Sequence, residues 1–165
     1  MKQTHSGSPA FSRHDHGLCA TDALAVARAT CAEHKLRLTP IREKVLGILL
    51  ETHTALGAYD ILETLRTEGL RSQPPVAYRA LEFLVEHSFA HKIERLNAFI
   101  GCTYPEKDHS PVFMICKECN QVAETLSFPI IGTLSKTAKA IGFEIEKAVV
   151  ETEGTCPGCR KTENS

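Results

Sequence analysis

Two Cys-x-x-Cys pairs, Cys116/Cys119 and Cys156/Cys159, stand in the last third of this chain with 36 residues between them. Thiolates at this spacing bind one ion when a tight turn aims both sulfurs inward. Two such pairs complete the closed tetrahedral S4 shell that zinc favours. The residue after the second cysteine of each pair often needs a left-handed backbone, which Asn120 tolerates well and Arg160 less so. Taken alone, Cys156-Pro-Gly-Cys159 also fits a thiol–disulfide motif. That chemistry wants the motif at the start of a helix after a strand, and no helix-forming run follows Cys159. The matching upstream pair favours structural zinc.

A second, mixed set of donors surrounds the first pair: His91, Cys102, His109 and Glu124. Two imidazoles, a thiolate and a carboxylate make a shell of borderline softness that suits zinc. Spread over 34 residues the set is a weak motif, and each member has a plain structural use. They would serve as a surface His, a small core Cys, a hinge His and an exposed Glu. A sealed metal site beside a mixed one is the pattern of a metal sensor. His14, His16 and Cys19 near the N-terminus could also catch an ion, but loose ligands order poorly and an untethered tail explains them better.

The chain has 165 residues, room for one domain or two small ones. Small domains are marginal alone and lean on a metal or a partner chain. With 19 basic and 20 acidic residues there is no basic excess to drive non-specific nucleic-acid binding. Residues 36–95 hold eight of each sign, so any nucleic-acid contact must come from a few placed side chains. No apolar run has the length of a membrane span and no hydrophobic signal core opens the chain. Seven cysteines, four of them in pairs, suit a reduced cytoplasm with metal-bound thiolates rather than a disulfide framework.

The elements that must position these donors follow from periodicity. Residues 1–20 are Ser-, Gly- and His-rich and read as a disordered arm. A first helix starts at Thr21 or Asp22 and runs to about His34, with Leu24, Ala27 and Cys31 on one face. Thr39 caps a second helix with Pro40 in its first position, and Val45, Leu46, Leu49 and Leu50 form its apolar stripe. A third spans 58–67 and a fourth 75–87, after Pro74-Pro75. Strand-like runs at 89–95 and 98–104 flank Leu96-Asn97 and read as a hairpin. Helices followed by a hairpin make a winged helix-turn-helix, with 75–87 as the inserting helix and 89–104 as the wing. Beyond a hinge at 103–108, strands at 112–117, 122–127 and 143–151 and a helix at 129–141 predict a small α/β unit over 109–165. The fold class is α+β, with a winged helix-turn-helix over 21–102.

Several stretches resemble the Fur family of metal-dependent bacterial repressors, in its zinc uptake regulator branch. They are Arg37-Leu-Thr-Pro-Ile-Arg42, Ala58-Tyr-Asp60, Pro74-Pro-Val-Ala-Tyr-Arg-Ala-Leu81, Ala90-His-Lys92, Ile100-Gly-Cys102, and His109 with Cys116, Cys119 and Glu124 at fixed spacing. The resemblance covers about Leu36 to Arg160 and implies a dimerising α/β domain behind a DNA-reading winged helix. It implies a structural zinc on Cys116, Cys119, Cys156 and Cys159 and a regulatory zinc on His91, Cys102, His109 and Glu124, two ions per chain. It implies a homodimer on a double-stranded, pseudo-palindromic operator, repressing zinc-uptake genes when zinc is bound, with no enzymatic role. Arg79 would read base edges; Tyr59 and Tyr78 would meet backbone or thymine methyls.

Where the iron and peroxide branches carry a His-His-Asp-His run, only Asp108-His109 remains, and the Cys102 thiolate favours zinc over harder ions. Val76-Ala77 replaces the usual Thr-Val before the reading Tyr-Arg, removing a hydroxyl that could touch phosphate. An iron- or peroxide-responsive repressor is the alternative within the family. A thiol oxidoreductase using Cys156 and Cys159, or a zinc-ribbon module with no DNA role, are those outside it. Glu63 and Arg66 could bridge neighbouring dimers, although a pair within their own helix is the simpler expectation.

Overall fold

The computed structural model describes residue 11 and residues 16–70, 73–105, 109–126 and 128–162. They fall into two compact units, Arg13–Glu106 and a second made of Lys107–Ser165 with Met1–Ser12.

The first unit runs α1 (His16–Glu33), α2 (Pro40–Leu50), α3 (Ala58–Thr67), α4 (Pro74–Glu86) and a hairpin of β1 (Ala90–Ile93) and β2 (Ala98–Gly101). α1 begins at His16, not at Thr21 or Asp22, so residues 16–20 of the segment read as a disordered arm are helical. An Ala-rich helix, once nucleated, extends at little cost per residue, and the single Gly17 loses only about 1 kcal/mol against Ala. His14 lies outside the described residues, and so do residues 1–10. Thr39 occupies the cap position of α2 with Pro40 behind it, but its side chain makes no capping bond. At α3 the cap is Gly57, whose N–H donates to the Asp60 carboxylate at 3.0 Å.

Ala27 and Cys31 of α1 pack with Val45, Leu46 and Leu49 of α2, Ile61 and Leu65 of α3, and Leu81 and Leu84 of α4 in one apolar core. Arg42 ties α2 to α4: its guanidinium lies 3.7 Å from the centre of the Phe83 ring, a cation–π contact, and also donates to the Arg37 carbonyl. α4 ends at Glu86, and Ser88, with φ 59°, turns the chain into β1. The hairpin register sets Ala90 opposite Gly101 and Ile93 opposite Ala98, and Asn97 takes φ 47° in its turn. Leu56 adds a bridge to Phe99 through two backbone hydrogen bonds of 2.8 Å, which anchors the wing to the segment before α3.

The wing sits close on α2. A Cβ at Gly101 would stand 2.6 Å from Leu50 Cδ2 and 3.3 Å from the Leu49 carbonyl oxygen. Gly101→Ala is therefore expected to destabilise this unit by about 1–3 kcal/mol through overpacking. Urea unfolding of the variant checks this; an unchanged midpoint would show that the contact yields freely.

The second unit contains β3 (Pro111–Cys116), β4 (Val122–Leu126), α5 (Phe128–Ala140), β5 (Val150–Gly154) and α6 (Pro157–Thr162). Its sheet has the order β4-β3-β5, with β4 antiparallel and β5 parallel to β3. α5 closes at Gly142, φ 73°, where a left-handed residue suits glycine. The expected strand at 143–151 forms only from Val150. Its alternating pattern begins earlier, but Val150 already pairs with Val112 beside the start of β3, so the residues before it have no partner strand.

Candidate metal centres and nucleic-acid interface

The four-cysteine cluster is built where the sheet ends. β3 delivers Cys116, and the following turn places Cys119 through two backbone bonds of 2.9 Å. Asn120 N–H donates to the Cys116 carbonyl, and Cys116 N–H to that of Gln121. Asn120 takes φ 57°, the left-handed conformation expected after the second cysteine. β5 runs alongside and hands over to the second pair, with Lys117 N–H donating to the Gly154 carbonyl. Here two expectations fail. Arg160 is not left-handed: it lies in α6, its N–H donating to the Cys156 carbonyl at 3.0 Å. A helical turn does start directly after Cys156, because Pro157 suits a first helical position and leaves the cysteine carbonyl to accept from Arg160.

One ligand atom from each of Cys116, Cys119, Cys156 and Cys159 lies within 4.8 Å of all the others. Cys119 Sγ and Cys156 Sγ are 3.8 Å apart. A regular tetrahedron with Zn–S bonds of ~2.3 Å has edges of ~3.8 Å, so the Cys119–Cys156 separation already matches one edge of a zinc site and the other sulfurs lie within about 1 Å of theirs. Backbone donors support the thiolates: Cys156 N–H points at Cys116 Sγ at 3.3 Å, and Cys159 N–H at Cys156 Sγ at 3.4 Å. Burial opposes ionisation of Cys116, but the N–H groups of Cys156, Cys119 and Glu118 and the Cys119 thiol outweigh it and bring its pKa down to about 6. Cys159 is pushed up to about 12, chiefly by the thiols of Cys156 and Cys119. One member of the cluster is thus ready as a thiolate while another gives up its proton only to a cation. Both pairs enter one cluster, which is what a metal site needs and a two-thiol redox motif does not.

The mixed donors occur as one pair in each unit. In the wing, His91 stands opposite Ile100, so Cys102 is its diagonal cross-strand neighbour on the same face. Their donor atoms lie within 4.8 Å of each other. Cys102 is buried, and Tyr104 N–H donates toward its sulfur at 3.4 Å. In the second unit, His109 precedes β3, and Glu124 sits on β4 opposite Phe113. His109 Nε2 and Glu124 Oε1 are 2.7 Å apart. Glu124 is only 2% exposed, where the sequence suggested a surface carboxylate, and is the one buried charged side chain among the described residues. Burying a carboxylate is costly unless a hydrogen-bonded partner or a cation compensates it. An imidazole and a carboxylate held this closely can do either.

On the helix-turn-helix, Tyr59 in the first turn of α3 is 77% exposed, and Tyr78 on α4 is also exposed. Both line one cleft, floored by Leu81, Val85 and Phe99. Arg79 is exposed on α4, and among the described residues no carboxylate forms an ion pair with it. Glu63 and Arg66 pair within α3 at 3.5 Å.

Residues 33–153 match the ferric uptake regulator family. The chain belongs to that family. Over 143 residues, 86% of this chain and 84% of the relative, it is 34% identical to the zinc uptake regulation protein of Escherichia coli (strain K12). Among solved structures it is similar to a zinc uptake regulator complexed with zinc and DNA. There the identity is 33%, over 88% of this chain and 98% of that one, with a TM-score of 0.84. It is also similar to the crystal structure of holo XcZur, at 37% identity over 86% and 99%, TM-score 0.77.

The segment matched to the ferric uptake regulator family takes in the helix-turn-helix, the wing, all four mixed donors and the first cysteine pair. It stops short of Cys156 and Cys159, whose place in the cluster rests on the geometry above. No helix among the described residues of this family member is long and apolar enough to cross a membrane. Sequence reasoning missed Phe11, which lies far ahead of the matched segment and in the second unit. A lone aromatic in a polar stretch carries no periodic signal.

Proposed function

We propose that this chain is a zinc-responsive transcriptional repressor that binds operator DNA as a homodimer in the cytoplasm and shuts off zinc uptake. The observation that carries it is the near full-length likeness to zinc uptake regulators, one of them in complex with zinc and DNA. Each chain holds two ions in different roles. The Cys116, Cys119, Cys156 and Cys159 cluster keeps a structural zinc, which organises the end of the sheet. His91 with Cys102, and His109 with Glu124, close on a regulatory zinc. Its donor set of two imidazoles, one thiolate and one carboxylate suits zinc better than Fe(II) or Mn(II).

Because the wing supplies one pair and the dimerisation unit the other, a regulatory ion would fix the wing to the dimer core and set the spacing of two reading helices. Moving such an equilibrium from 1:99 to 99:1 takes about 5.5 kcal/mol. Apparent zinc-site energies of ~10–16 kcal/mol exceed that comfortably. The segment 103–108 acts as the hinge, and the change of unit between Glu106 and Lys107 supports this. In the reading head, α4 enters the major groove, Arg79 meets base edges, and Tyr59 and Tyr78 meet backbone or thymine methyls. The chain carries out no catalysis in this role.

Arg79→Ala is expected to lower specific operator affinity by about 1–3 kcal/mol while zinc content is unchanged. A gel-shift titration against operator and scrambled duplex reads this, and a curve identical to wild type removes Arg79 from the interface. Running the same titration with zinc, Fe(II) and Mn(II) separates this reading from an iron or peroxide response; tightening by Fe(II) but not zinc would overturn it.

A further inference from the structure

We infer that Phe11 is a positioning residue for the four-cysteine centre: it covers the cluster and slows the exchange of its metal and the reaction of its thiols. Phe11 is half-buried and belongs to the same unit as the cluster. It lines a cleft of about 290 Å³ with Met114 and Cys116 of β3, Thr152 of β5, and Cys156 and Pro157 of the second pair. Two of the four sulfur-bearing residues therefore share a cavity with one aromatic side chain from the far end of the sequence. Met114, an exposed apolar residue on a strand whose neighbours are buried, lines the same cleft and adds to its apolar wall.

Metal leaves an S4 site by stepwise attack of a competing ligand or electrophile on the bound thiolates, and that attack needs access. A ring lining the cleft that Cys116 and Cys156 also line narrows one approach. Cys116 and Cys156 are buried while Cys119 is exposed, which matches a cluster shielded on one side only. Phe11 lies 22 residues ahead of the segment matched to the family. The inference rests on the structural-zinc reading of the cluster, and its test has an arm that does not.

Full-length zinc-loaded protein is mixed with an excess of a chromogenic chelator, and the slow phase, assigned to the S4 site, is followed for wild type, Phe11→Ala and Phe11→Leu. Half of the transfer free energy of a buried Phe corresponds to about a fivefold change in how often the cover opens. Phe11→Ala is expected to release the slow zinc about fivefold faster, Phe11→Leu to restore most of the protection, and the fast phase to be the same in all three. In parallel, alkylation of Cys116 and Cys156 in the protein as purified is timed by mass spectrometry, and Phe11→Ala is expected to raise both rates by a similar factor. Equal slow phases and equal alkylation rates overturn the inference. If Cys116→Ser still retains two zinc ions, the structural-zinc reading fails, while the alkylation arm decides separately whether Phe11 covers the thiols.

Discussion

Cys102→Ser is expected to leave a folded dimer that keeps one zinc per chain and no longer tightens on operator DNA when zinc is added. The substitution is nearly isosteric and the site is already provided with a donor: Tyr104 N–H points at the sulfur and would serve a hydroxyl as well. The wing core, with Phe89, Ala90 and Ile100 buried beside it, loses little. What is lost is the thiolate. A serine hydroxyl is neutral at working pH and a poor ligand for zinc, and disturbing even the outer partners of a metal ligand costs 10–100-fold in affinity. Removing a direct ligand should therefore cost at least about a hundredfold. Zinc content falling from two ions to one, with the circular dichroism spectrum and dimer mass unchanged, is the expected result. A variant that holds two ions and represses normally would show that the mixed set does not regulate.

Cys116→Ser should act in the opposite way, on folding before function. The second unit has about seventy residues, a three-stranded sheet and one long helix, a size at which a single core is marginal. Cys116 closes β3, pairs with Gly154 of β5 and accepts the Cys156 N–H on its sulfur, so it joins all three parts of the metal end. Structural zinc contributes ~10–16 kcal/mol of apparent binding energy in small zinc domains, and losing one of four ligands forfeits much of it. The expected outcome is loss of the slowly exchanging zinc and of cooperative unfolding of this unit. Retention of both by the variant would remove the cluster from the folding account.

The same cluster sets a pH dependence. Cys119 and Cys159 have raised pKa values, the latter about 12, so both are protonated near neutrality and must shed protons on metal capture. Zinc affinity therefore rises with pH through the neutral range, by about two or more decades per pH unit. Cys116, at about 6, is already ionised there and adds to the slope only below about 6. Chelator competition between about pH 5 and pH 8 should show the steeper fall at the acid end.

How far the sequence discloses this protein differs from site to site. The cysteine pairs are readable because the spacing that brings two sulfurs together is local: three residues and one left-handed Asn120 accomplish it. The winged helix is readable for a similar reason. Pro40 and Pro74 mark where α2 and α4 begin, and Asn97 marks the hairpin turn. The mixed donors are different. Nothing in the spacing of His109 and Glu124 brings them together: β3 sets Phe113 opposite Glu124, and only in the folded unit does His109, ahead of β3, come within 2.7 Å of what is then a buried carboxylate. Reading them as ligands from sequence required the family resemblance.

Two of the differences share one cause. The late start of β5 and the helical turn after Cys156 depart from the local pattern because each is set by a partner. β5 exists only where β3 is there to pair with it, and Arg160 turns helical because the Cys156 carbonyl accepts its N–H. Phe11 is the extreme case, a single aromatic whose surroundings are the far end of the chain. Composition and local spacing settle which donors exist, which of them sit on one turn, and where α2 and α4 begin, because those depend on residues a few positions apart. Tertiary structure decided strand limits, the pairing of Glu124 with His109 and the place of Phe11, because these depend on long-range contacts that no local pattern encodes.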